Sequence, residues 1–125
     1  LVAEPVALLS TIPQPNSHSR REDPSAWRFH AAPTALDMRE DAAIVMTPTH
    51  AYLYTREQGA SWSTAFSRQP ERIVLPAQPG REAVAWIRGE ALSFLTVTER
   101  FRARNGAALF RVELDRERAR RHSSG

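Results

Sequence analysis

Two glutamates, an arginine and a histidine are the side chains of this sequence best suited to do chemistry together. Glu82 heads a predicted strand and Glu99 ends its antiparallel neighbour, so a hairpin brings both to one end of a sheet. Arg100 follows directly, and His50 opens a strand of the preceding unit. A cluster of Glu82, Glu99, Arg100 and His50 has the groups to bind a cation or an anionic ligand, or to move a proton. The plain alternative is a pair of strand-end glutamates meeting water or arginine. We take the four as a candidate ligand site; they do not define a catalytic set.

Other chemistry finds less support. His18, His30, His50 and His122 are scattered, and no two histidines stand at the i, i+4 spacing of a metal-binding helix. There is no Cys, which excludes disulfides and thiolate metal sites. No Gly-x-Ser-x-Gly elbow is present, and the serines gather at Ser17, Ser19 and Ser25 or at Ser123 and Ser124, in predicted linkers and tails. No glycine-rich loop precedes a helix, so no phosphate cradle is expected. Trp27, Trp62 and Trp86 have the rings for a sugar-stacking site, but tryptophans on short strands more often fill space between packed sheets. Neither a cofactor nor a metal is expected.

Composition sets the frame for these residues. The chain has 125 residues, 42% of them hydrophobic, enough for one modest core. It opens at Leu1-Val2-Ala3 without a Met, which predicts a fragment or a processed product. All 17 basic residues are Arg, a bias we assign to coding rather than chemistry. The pI near 10.5 is compatible with a nucleic-acid partner. However, the 14 acidic residues are interspersed with the arginines and dilute the basic field, so nucleic acid is not the expected partner. No apolar run approaches the ~18 residues of a membrane span, and no signal peptide is visible.

Short strands must position the candidate groups. Val6 to Ile12 is an apolar run closed by Pro13, predicted as a strand, and residues 13–25 read as a Pro- and Ser-rich loop. Trp27 and Phe29 alternate with polar neighbours in a further extended stretch. Residues 34–38, 42–46 and 50–55 read as three antiparallel strands joined by Arg39-Glu40-Asp41 and Thr47-Pro48-Thr49. Ser61 to Phe66 fits either a strand or a helical turn or two, since Trp62 and Phe66 lie four apart. Residues 72–75 form a strand ended by Pro76. The rhythm then returns with strands at 82–87, at 91–98 with Leu92, Phe94 and Thr96 on one face, and at 108–114 beyond an Asn105-Gly106 turn.

The two strand sets recur about 48 residues apart, inside the 40–50-residue period of propeller blades. Thr55-Arg56-Glu57-Gln58-Gly59-Ala60-Ser61-Trp62 resembles the Asp-box of sialidase-type propellers, with Glu57 in place of the Asp. In that family the box is a structural turn remote from the active site, so the resemblance implies a fold and not a sialidase. Residues 33–114 resemble bacterial secreted or periplasmic WD40-like propeller proteins. The resemblance rests on Ile44-Val45-Met46 through Ala51-Tyr52-Leu53, then Gly80 to Trp86, Thr98-Glu99 and Ala108 to Val112. The usual Asp-Gly turns are replaced by Arg39-Glu40-Asp41 and Arg88-Gly89-Glu90.

The expected fold is therefore all-β, with short antiparallel strands in about two blade-like sheets from a larger propeller. One sheet spans 34–75 and a partial one starts at Glu82. Residues 1–33 form a preceding strand and linker, 34–114 the blade-like region, and 115–125 a charged flexible tail. The resemblance implies a periplasmic or extracellular scaffold or binding module. Its expected partners are further blades of a longer chain or other copies of itself. Two alternatives stand beside it: a fragment of a propeller-type hydrolase acting on a phosphate ester or glycoside, and a basic module meeting an acidic partner through Arg116 to Arg121.

Overall fold

A computed structural model describes residues 2–22, 24, 31–75, 81–89, 91–98 and 108–114, apart from the side chains of residues 19, 81, 82, 98 and 108. The fold is all-β; the described residues form two antiparallel sheets and two short helices. The first sheet runs in the order β1 (Ala35–Met38), β2 (Ala42–Met46), β3 (His50–Thr55), β4 (Glu71–Val74). The second runs β5 (Arg81–Trp86), β6 (Leu92–Thr98), β7 (Ala108–Leu114). These are the two sheets expected over 34–75 and from Glu82.

Burial follows from each strand's place. β2 is apolar throughout and buried on both faces, as a central strand between two packed layers must be. Edge strand β1 alternates between half-buried and exposed positions. On one face of the first sheet Ala42, Ile44, Met46, Ala51 and Leu53 pack against Val84, Trp86, Leu92, Phe94, Val112 and Leu114 of the second. On its other face Ala43, Val45, Tyr52 and Tyr54 are covered by Ile12, Phe66, Leu9 and Trp62. The first sheet is thus the middle layer of three.

The turns close by identifiable devices. Between β2 and β3 the buried Thr47 hydroxyl accepts the His50 backbone N–H (3.0 Å), while Thr47 N–H donates to His50 O (2.8 Å). Between β3 and β4, Ala60 N–H donates to Glu57 O (3.0 Å) with Gly59 at φ 83, at the turn position where a side chain is strained. Here the Asp-box-like segment departs as Glu57 requires. Its longer side chain reaches outward to Arg68 (3.1 Å) instead of folding into the turn. The turn is tied down by Arg56, whose guanidinium donates to Ala60 O (3.0 Å) and Glu40 O (2.9 Å).

Three local expectations are corrected or decided. Val6 to Ile12 is not a strand. It crosses the face of the first sheet rather than its edge, so it has no ladder to join; Ala7, Leu9 and Ile12 pack on that face while Val6 and Leu8 are exposed. Within 13–25, a loop by composition, lies α1 (Ser17–Glu22), steadied by His18 and Glu22 one turn apart at 3.1 Å. The ambiguous 61–66 stretch is α2 (Trp62–Ser67). Ser61 caps it by accepting Thr64 N–H, and the Trp62 and Phe66 rings meet four residues apart, centroids 5.6 Å. The expected extended stretch at Trp27 and Phe29, the Asn105-Gly106 turn and the 115–125 tail lie outside the described residues.

Candidate functional site

Of the predicted cluster, the structure describes His50 in full and Glu82 in its backbone alone. Along β3, His50 shares its face with Tyr52 and Tyr54, which meet the N-terminal arm, whereas Ala51 and Leu53 face the second sheet. The first sheet therefore stands between the His50 ring and the second sheet. Glu82 is in β5 at a bulge: Arg81 faces Thr98 and Ala83 faces Val97, leaving Glu82 as the extra residue. Its side chain, and all of Glu99 and Arg100, lie outside the described residues. His50 itself is held by Thr49, hydroxyl to Nδ1 at 2.7 Å, with its ring tilted against Tyr52, centroids 6.1 Å apart.

Among the described residues, polar groups converge between the sheets and again beside α1. The first is a clamp between the sheets. Asp37 on β1 accepts the Trp86 backbone N–H at Oδ2 (2.7 Å) and the Met38 N–H at Oδ1 (2.9 Å), while the Trp86 indole N–H donates to Asp37 O (3.1 Å). Arg39 lies over the same indole, 5.7 Å from its centroid. The Arg39 guanidinium also pairs with Asp41 (2.7 Å) and donates to Ala91 O (3.3 Å), joining the turn after β1 to the turn after β5. Trp86 thus fills the space between the sheets. Trp62 packs on the other side of the first sheet, with the Arg56 guanidinium 5.0 Å from its ring.

The second is a groove of about 360 Å³ where α1 and the segment before it pass over β3 and β4. His18 and Glu22 line one wall; His50, Tyr52, Arg72 and Val74 line the other. Tyr52 and Arg72 are register partners on adjacent strands, so their side chains share this face. The sequence reading missed Arg72 because it sat unremarked in a short strand. It missed His18 and Glu22 because the helical spacing was sought only between histidines. Among the described residues, no three His, Asp or Glu groups converge on a metal-sized site, and no helix is long and apolar enough to cross a membrane.

The arm is locked to the sheet through Thr11, whose hydroxyl meets the Tyr54 hydroxyl and Phe66 O, both at 3.0 Å. Burial raises the Tyr54 pKa, the Thr11 bond partly offsetting it. Burial also raises that of Tyr52, with Arg72 pulling it down and Tyr54 pushing it up. The unfolded chain ionises both phenols near pH 10 while the folded chain keeps them protonated. Their contribution to stability is therefore complete below about pH 10 and is lost as pH rises through the raised folded-state values. Denaturant titrations from pH 8 upward are expected to show this fall, with a shallower slope in Tyr54→Phe; a flat profile above pH 10 contradicts it.

Comparison with known proteins finds no matching family model, no matching curated protein and no matching solved structure.

Proposed function

We propose that the chain is a propeller-type scaffold or binding module, its two sheets being successive blades, with no complete catalytic site of its own. The observation that carries this reading is the sense in which the sheets stack. The hydrogen-bond pattern aligns β1–β2–β3 with β5–β6–β7: Arg39 N–H donates to Ala42 O as Ile87 N–H donates to Ser93 O, which sets Val45 against Thr96, and with it Leu36 against Val84 and Ala51 against Leu109. In this alignment, the first sheet's Ile44, Met46, Ala51 and Leu53 correspond to Leu95, Val97, Leu109 and Arg111 in the second. The former group packs against the second sheet; the latter lies on the second sheet's far face. The contact is therefore head-to-tail, the kind that repeats by propagation instead of closing as a pair.

That arrangement gives the far face its role: it is the surface on which a further sheet would stack. Leu109 there is 67% exposed, and Leu95 and Val97 are half-buried. The occupant is a further blade of a longer chain or, for the chain alone, another copy. A periplasmic or extracellular setting goes with the resemblance to secreted propellers. The hydrolase reading depends on Glu82 and Glu99, and the acidic-partner reading on Arg116 to Arg121; their side chains lie outside the described set, so neither draws support from the structure.

Light scattering across a concentration series is the test. The 125-residue chain is expected to self-associate through this face, and a Val97→Glu/Leu109→Lys double variant, whose opposite charges face each other across the ladder, to be monomeric while remaining folded. A wild-type chain that stays monomeric up to its solubility limit, or association untouched by the double substitution, contradicts the reading.

A further inference from the structure

We propose that the groove between α1 and the β3–β4 pair is a binding site for a small oxyanion, a phosphate- or carboxylate-bearing molecule, with Arg72 as its anchor. This deepens the binding-module reading by naming a ligand class, and it rests on that reading only in treating the chain as a binder. The volume, about 360 Å³, is at the small end of pockets that hold metabolite-sized ligands.

Charge in the groove is unevenly committed. Glu22 is already engaged by His18 at 3.1 Å on the α1 wall. Arg72 has no carboxylate partner among the described residues, although three other ion pairs form there. An exposed guanidinium offers five N–H donors in a planar fork that matches the paired oxygens of a carboxylate or phosphate. Its position is set by pairing, not chance. Arg72 faces Tyr52 across the ladder, and Val74 faces His50, so cation, phenol and imidazole are fixed on one face of two paired strands. The Thr47–Thr49 turn anchors His50 at 2.7 Å, which gives the groove a preformed wall. A cation would meet Arg72 and is disfavoured; an uncharged ligand would leave the guanidinium unanswered.

The test uses the whole chain and NMR titration with inorganic phosphate and, separately, acetate, against sodium chloride at matched ionic strength. Saturable shifts at His50, Tyr52 and Arg72 are expected with at least one probe. Which probe saturates says whether the ligand is a phosphate or a carboxylate. Arg72→Gln is expected to weaken that binding at least about tenfold, and Arg72→Lys, which keeps charge but loses the fork, to recover only part of it. Arg72 is exposed, so both variants are expected to unfold at the wild-type temperature. Shifts no larger than those with chloride, or binding unchanged in Arg72→Gln, overturn the proposal. Either result leaves the sheet-stacking reading standing, because that is decided on the far face of the second sheet.

Discussion

Replacing Phe94 with Ala is expected to cost about 3–5 kcal/mol of folding stability. Phe94 is fully buried at the centre of β6, edge-on to Trp86 (87°, centroids 6.0 Å), in the cluster that holds the two sheets together. Removing its ring deletes the burial of a large apolar side chain and leaves a cavity lined by residues of both sheets. Those walls belong to paired strands and can collapse only in part. A domain of this size is stable by roughly 5–15 kcal/mol, so the variant is expected to be marginal. Phe94→Leu, which keeps most of the volume, is expected to lose less than about half as much. Urea unfolding at neutral pH reads both values. A loss below ~1 kcal/mol in the Ala variant would mean that the second sheet does not rest on the first through this residue.

The second large effect concerns a hydrogen bond. Asp37→Ala is expected to cost about 1–3 kcal/mol, because it leaves the Trp86 backbone N–H without its acceptor between two packed layers. Asp37→Asn keeps an oxygen at the same place and is expected to recover more than half of that loss. The neighbouring Arg39–Asp41 pair provides the comparison. Asp41 is half exposed, at 51%, and Asp41→Ala is expected to change stability by less than ~1 kcal/mol. If Asp37 and Asp41 substitutions prove equivalent, the inter-sheet bond is not formed as described.

Much of this architecture was legible in the residues. The alternation of Leu92, Phe94 and Thr96 fixes one face of β6, and the runs at 42–46 and 50–55 read as antiparallel strands between short turns. What was not legible is which face of the first sheet meets which neighbour. Ala51 and Leu53 are apolar, and so are most of the groups at Tyr52 and Tyr54. Parity divides the two sets without saying which one looks toward the second sheet. The face that His50 occupies, shared with Tyr52 and Arg72, could not be read from β3 alone for that reason. The Val6–Ile12 run misled for a related reason: an apolar segment that covers a sheet face has the composition of a strand without a strand's partner. Arg72 was invisible because its interest lies in what stands opposite, Tyr52 across the ladder and α1 across the groove. Both come from pairing between distant segments.

The second sheet is stacked on the first through Asp37 and Trp86. Amide hydrogen exchange at Trp86 tests this most directly, since that N–H donates across the interface to Asp37 at 2.7 Å. The Trp86 amide is expected to be as protected as the ladder-bonded amides of β5, with exchange at least about tenfold faster in Asp37→Ala, equivalent to about 1.4 kcal/mol. A Trp86 amide that exchanges in the wild-type chain at the rate of an open strand edge would contradict it.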